Sequence, residues 1–411
     1  MNNEIFRKYG DRLLFALALA ILAAALFHFG LVNRAGNNKT ATEEDLPRVV
    51  FFTQWWDNDS ELVTLKSLIE EFESLNAEIK IDLNTIPYED LRKAVFDTGR
   101  AHAREDEKNP GDIVALDPLW IPELLDWEII ENVNETSVFF INVFYYNIEI
   151  LRQAGFSSPP KTRSEFLSYA RTLASMQGFN GVLAMGLNSS RGIYDDIFPW
   201  IWSSGAQLIT NGNGRPTLTS RPVVESLSFL ATLNSEGLIA PGSFSANSEK
   251  KLEDFISGRA AFLIAPARDI DRVRERLGDE AFGVTSIPAP DNVAQRSLFG
   301  TSGWTTGVYS GSDHKEEAKL FAEFLAEKSH IISREVMAIP GSGIPPAQDE
   351  LFSKVWDIAI AGESAQDFSG LPWTRLEEIF RNELAAMFGG RSTPAETAAV
   401  IQAKWELVLG R

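Results

Sequence analysis

The chain has no cysteine among its 411 residues and only four histidines, His28, His102, His314 and His330. Without cysteine there is no disulfide, no thiolate metal site, no Cys nucleophile and no thiol for a lipid. The histidines stand at no metal-ligand spacing, which argues against a zinc or iron enzyme, and no cofactor is expected. Glycine patterns that cradle phosphate are missing, and neither Gly341-Ser342-Gly343 nor Gly303-Trp304 forms the nucleophile elbow of a serine hydrolase. Positive charge is scarce. Lys and Arg number 38 against 57 Asp and Glu, a net charge of -19. Such a surface repels phosphate backbones, so nucleic acid is excluded as a partner.

Hydrophobic residues make up 44% of the chain, enough for two ordinary domains with full cores. Near the N-terminus, Leu13 to Val32 (LLFALALAILAAALFHFGLV) carries no Asp, Glu, Lys or Arg. A helix of that length rises about 30 Å, the depth of a bilayer core. Arg7, Lys8 and Arg12 precede it, and Glu43-Glu44-Asp45 lie beyond it. The positive-inside bias therefore places residues 1–12 in the cytoplasm and the folded part outside. The following Val32-Asn33-Arg34-Ala35-Gly36 is a poor cleavage site, so residues 13–32 are expected to stay as a transmembrane anchor, or uncleaved signal, with 33–46 as a polar tether.

From Arg48 the pattern alternates. RVVFFT (48–53), IKIDLNTI (79–86) and DIVAL (112–116) read as strands. Ser60–Leu75 and Tyr88–Arg104 read as helices between them. This β-α-β-α-β order marks a parallel sheet flanked by helices. SVFFINVFYYN (137–147) is a long β-rich run. Further strands are expected at VLAMGL (182–187), AAFLIA (260–265), AFGVTSI (281–287) and GWTTGVY (303–309). Helices are expected at about 148–154, 164–176, 193–204, 222–235, 314–328, 331–337, 351–361, 373–388 and 394–409.

Ten tryptophans is a high count, and several stand at element ends beside acids or turn residues. The first strand ends in Gln54-Trp55-Trp56-Asp57, the third in Asp117-Pro118-Leu119-Trp120. If the two strands are parallel, both loops leave the same sheet edge, where open α/β sheets hold ligands. An indole face beside a carboxylate suits a polyhydroxylated ring: the apolar sugar face stacks, and the hydroxyls donate to Asp. The competing role for each tryptophan is to fill a core. Pattern and neighbours favour a ligand role for Trp56, Trp304 and Trp373. A calcium loop starting at Asp57 fails, because its sixth and twelfth positions are Leu62 and Leu68. A carboxylate pair such as Asp57 and Asp117 would suffice for a glycosidase, which keeps a carbohydrate-active enzyme among the alternatives.

Several phrases in order carry a resemblance. They are VVFFTQWWDNDSELVTLKSLIEEFE, then DIVALD, then YYNIEILRQAGFSSPPKTRSEFLSYARTLA, then FISGRAAFLI followed by FGVTSIPAP. GWTTGVYSGSDHKEEAKLFAEFLAE and the C-terminal LPWTRLEEIFRNELAAMFGGRSTPAETAAVIQAKWELVL complete the set. Over about residues 47–411 the chain resembles the extracellular solute-binding proteins that serve ABC importers of sugars and oligosaccharides, the group containing maltose- and glycerol-phosphate-binding proteins. The resemblance implies a two-lobed α/β fold of the periplasmic binding-protein kind, each lobe a sheet flanked by helices. Lobe 1 would comprise 47–143 plus about 308–349, and lobe 2 would comprise 144–307 plus about 350–411. It implies a binding monomer rather than an enzyme, with no catalytic residues and an importer's membrane subunits as partner. Carried over by position, Trp56, Asp57, Asp117 and Trp120 would line the first lobe's wall, facing Tyr194, Trp200 and Trp202. Trp304 would stand at a crossing strand, Trp373 at the start of a late helix, and Arg268 after the AAFLIAP strand. The chain departs from the family pattern where only WIPELLDWEIIENVNETS separates the DIVALD strand from the crossing run. A membrane-tethered sensor on the same fold is the alternative to transport.

Overall fold

A computed structural model describes residues 46–53, 59–102, 111–134, 138–176, 181–210, 214–294, 298–299, 303–335, 339–340, 350–360, 363–364, 366, 368 and 370–410. The expected transmembrane segment 13–32, most of the tether, and Trp56 with Asp57 lie outside the described residues. Among the described residues no helix is long and apolar enough to cross a membrane.

Among the described residues thirteen strands follow in chain order: β1 (Arg48–Thr53), β2 (Lys80–Thr85), β3 (Ile113–Leu116), β4 (Ile130–Val133), β5 (Val138–Phe139), β6 (Asn142–Asn147), β7 (Leu183–Ala184), β8 (Phe262–Pro266), β9 (Phe282–Thr285), β10 (Leu298–Phe299), β11 (Gly303–Tyr309), β12 (Ile339–Pro340) and β13 (Glu363–Ser364). Seven form one sheet in the order β12-β5-β11-β3-β1-β2, with β4 also on β11. Four form a second sheet, β7-β8-β6-β9, and β10 pairs with β13. β1 runs parallel to both β2 and β3, as their sequence order requires. β11 returns antiparallel against β3 and is buried along its whole length.

Side chains alternate across both sheets, as a period of two demands. In the large sheet, Val49, Phe51, Ile113 and Ala115 face one layer. There they meet Leu65, Leu68 and Phe72 of the helix Asp59–Leu75 and Phe321 of the helix Lys315–Glu327. Val114 and Leu116 face the other way, toward Leu91 and Val95 of the helix Tyr88–His102. In the small sheet Val143, Tyr145 and Leu263 face one side, while Phe144, Phe262 and Ile264 face the other. The second of these cores extends without a break to residues of the large sheet, and Arg48–Arg411 forms one compact unit.

Three sequence expectations differ in detail. The run 137–147 is not one strand: β5 belongs to the seven-stranded sheet and β6 to the four-stranded one, so the chain passes between sheets at Phe140-Ile141. The segment expected as one helix over 193–204 is two, Gly192–Asp196 and Phe198–Trp202. They break at Ile197, two residues before Pro199, whose ring removes a backbone donor. The 182–187 strand shortens to β7, because the Gly186 N–H donates to Asp196 Oδ2 at 2.7 Å and the Leu187 N–H to the Ser243 carbonyl at 2.9 Å. Gly303, at the start of β11, is required by close approach: a Cβ there would sit 1.6 Å from the Val138 carbonyl oxygen.

Candidate functional site

The loop after β3 begins at Asp117, which is 3% exposed. Its Oδ1 accepts the Leu119 N–H at 2.9 Å, so the carboxylate caps the short turn Pro118–Trp120 and is fixed relative to the sheet edge. Its Oδ2 accepts the Tyr88 hydroxyl at 2.7 Å. Tyr88 in turn lies against Trp120, ring centroids 5.1 Å apart and planes at 31°. The same Oδ2 accepts Arg191 Nη1 at 2.6 Å. Arg191 belongs to the segment between β7 and the helix Gly192–Asp196, so this ion pair joins the large-sheet side of the molecule to the small-sheet side.

Arg191 is held from behind as well. Its Nε and Nη2 donate to the two oxygens of Asp195, each at 3.1 Å, and its guanidinium lies 4.8 Å from the centre of the Tyr194 ring. Asn142 Nδ2, at the start of β6, donates to Asp195 Oδ1 at 2.9 Å. Burial alone would ease the proton off Arg191, but the carboxylates of Asp117 and Asp195 outweigh it and hold the guanidinium well above its ordinary range. A cation with two carboxylates in a poorly hydrated site is a firm joint, because removing either partner leaves a buried charge.

Beside this joint is a cavity of about 140 Å³. Tyr88, Asp117, Phe140 and Gly303 form one wall. Ser189, Arg191, Asp195, Lys251, Arg268 and Arg272 form the other. Phe140 sits where the chain passes between sheets, and the Arg268 guanidinium lies 5.9 Å from its ring centre. Arg272 is clasped by Glu249 through two bonds of 2.6 and 3.0 Å. Lys251 is consumed deeper in, donating to Asp196 Oδ1 and to the Ile264 carbonyl, both at 2.8 Å. Burial raises the Asp269 carboxyl above its ordinary range, with Arg268 and Arg272 opposing.

Of the residues expected from the sequence, the structure brings Asp117 and Arg268 together on this cavity. Trp120 stands one layer behind it, through Tyr88. Tyr194, Trp202 and Trp373 meet in a buried aromatic group with Phe198, Phe368 and Trp405. Trp200 packs edge-on to Phe144 beneath the small sheet. Trp304 lies in the separate core of the large sheet. Trp56 and Asp57 lie outside the described residues. Tyr88, Phe140 and Arg191 were not foreseen. Only Arg191 had a local signal: a cation at a helix N-terminus opposes the helix dipole, so it needs tertiary partners.

Among the described residues no group of His, Asp or Glu side chains could hold a metal ion. Residues 56–330 match the family model described as bacterial extracellular solute-binding protein. The chain belongs to that family. A binding protein of Brucella abortus is 24% identical over 278 residues, covering 64% of this chain and 65% of that protein. An ABC transporter-binding protein described as probable, from Deinococcus radiodurans, is 21% identical over 293 residues, covering 66% and 67%. The chain thus spans just under two thirds of the length of the Brucella relative. The GacH receptor of Streptomyces glaucescens, solved unliganded and with acarbose, superposes with TM-score 0.72 at 18% identity, covering 89% of this chain and 99% of that one. The maltose-bound MalE3 of T. maritima superposes at 0.69 with 17% identity, covering 88% and 99%. At such identities the superpositions establish the two-lobed binding-protein fold.

Proposed function

We propose that the chain captures a sugar or related polyol in the cavity between its two sheets and passes it to the membrane subunits of an ABC importer. Family membership and the sugar ligands of the superposed receptors support this reading. The observation that carries it is the cavity itself, walled by Asp117 and Phe140 on one side and Arg191 and Arg268 on the other. A solute touching both walls favours the arrangement in which they approach, because only there does it make both sets of contacts. The large-sheet and small-sheet bodies, which part within a few residues of the expected lobe boundaries near 143 and 307, are taken to move about Phe140-Ile141 and the returning segment before β11. Asp117 and Arg268 are the ligand-facing members of the expected set. Of the remaining described ones, Trp120 backs the wall through Tyr88 and Tyr194 through Arg191. Residues 13–32 keep the chain on the outer face of the cytoplasmic membrane. The role is binding, with no bond made or broken.

A thermal-shift screen of residues 40–411 against a broad sugar panel tests this. Saturating solute at a hundred times its Kd should add roughly 2.7 kcal/mol of stability. An unchanged melting temperature across the panel refutes the sugar assignment.

A further inference from the structure

The two bodies are tied together at a second place, outside the cavity. Thr374, in the first turn of the helix Trp373–Phe388, accepts Arg92 Nη2 at 2.8 Å and donates to Glu123 Oε2 at 2.9 Å. Arg92 belongs to the helix Tyr88–His102 and Glu123 to the helix Ile121–Asp126, both on the large-sheet body. The helix Trp373–Phe388 packs on the small-sheet side, against the helices Arg221–Ser235 and Pro394–Val408. One hydroxyl of one body is thus set between a cation and an anion of the other. Hydrogen bonds with a charged partner are the stronger kind.

The same helix governs the first tie. Arg381 Nη2 donates to the Ser189 carbonyl and to Glu377 Oε1, both at 2.9 Å, and Glu377 Oε1 accepts the Ile193 N–H at 3.4 Å. These bonds hold the segment 189–193, which carries Arg191 to Asp117. Both ties therefore hang on one element and engage or release as a pair. Both are also built to let go. When the bodies part, Asp117 keeps the Leu119 N–H and the Tyr88 hydroxyl. Arg191 keeps both oxygens of Asp195 and the Tyr194 ring. Arg92 and Glu123, of opposite charge, are left to each other. Each charge retains a partner on its own body, so parting avoids the stranded charge that makes a buried pair hard to break.

We propose that the helix Trp373–Phe388 is a releasable clasp. Through Thr374 and through the Arg191 segment it holds the two bodies shut by the chain's own bonds. The shut arrangement is then the majority form, and solute enters when both ties have let go. The inference rests on the two-body movement of the proposed function and on no particular solute.

The chain has no cysteine, so Lys93→Cys and Ser228→Cys, at exposed positions on the two bodies, accept one spin label each. Pulsed dipolar spectroscopy of the full chain, with no solute added, reads the distance between them. With both ties intact, one narrow distance should dominate. Thr374→Val keeps the side chain's shape and removes both of its bonds, so it should raise the longer-distance fraction about tenfold. With Arg191→Met added, the longer distance should be the majority. Should that double variant fail to fold, Asp117→Asn replaces Arg191→Met under the same expectations. A majority of long distances with both ties intact overturns the inference. So does a double variant that melts lower but keeps the original distance, since a merely structural bond would do that. A failed clasp leaves the sugar reading standing, and a failed sugar panel leaves the distances to decide the clasp.

Discussion

Replacing Arg191 with methionine tests the joint between the two walls. Its side chain is 12% exposed and faces Asp117, 3% exposed, at 2.6 Å, and Asp195, 13% exposed, at 3.1 Å. Methionine keeps the length of the stem but leaves the Asp117 carboxylate with only the Tyr88 hydroxyl and the Leu119 N–H. Breaking a buried pair in this way costs about 3–5 kcal/mol. At about 2.1 cal/mol/K of unfolding entropy per residue, a unit spanning Arg48–Arg411 loses roughly 1.3 °C per kcal/mol, so the melting temperature should fall by ~4–7 °C. Asp117→Asn removes the stranded charge and still offers an oxygen to the Leu119 N–H. The double variant should therefore be less damaged than the sum of the singles, by about 1–3 kcal/mol. The assay is denaturant unfolding of the four members of the cycle. A cost for R191M below about 1 kcal/mol, or additivity within ~0.5 kcal/mol, would refute the claim that this ion pair is a structural joint.

Three further outcomes follow from the same structure. Burial raises the Glu377 carboxyl to about 7, against the opposing pull of Arg381 at 2.9 Å. The stability of its protonated form is complete below its unfolded value near 4.5 and is lost as pH rises through about 7. Glu377→Gln should therefore flatten the fall in melting temperature between those pH values, a term on the order of 3 kcal/mol; an unchanged pH slope contradicts this. Gly303→Ala should unpair β5 from β11, since its methyl would meet the Val138 carbonyl at 1.6 Å. The expected result is insoluble protein or a loss of more than about 3 kcal/mol, and a stable soluble variant would refute the close approach. Phe198, fully buried among Tyr194, Trp202, Phe380 and Trp405, should cost about 3–5 kcal/mol on truncation to alanine, read by denaturant unfolding.

Local pattern carried much of the fold. The parallel pairing of β1 with β3 follows from β-α-β order, and the helix Arg163–Ala174 is announced by Thr162 and Glu165, which form a reciprocal capping box. The break inside 137–147 had no such mark, because strand propensity is continuous across Phe140-Ile141 and only the partners differ: β11 and β12 for β5, β8 and β9 for β6. The cavity was partly legible. Asp117 was found because a strand end is a local feature. Arg191 lies 74 residues away, and nothing near it in sequence names Asp117 as its partner. Tryptophan was the least informative signal, since composition cannot say which face of a helix or strand the indole will take. The buried faces of Trp200 and Trp373 are set by Phe144 and Phe198, on distant segments.

The central claim is that one solute touches both walls. Amide hydrogen exchange with and without saturating solute tests it most directly. Protection is expected together around 88, 117–120 and 140 on one wall and around 189–195 and 266–272 on the other. Protection confined to a single wall, or appearing only away from these segments, would contradict it.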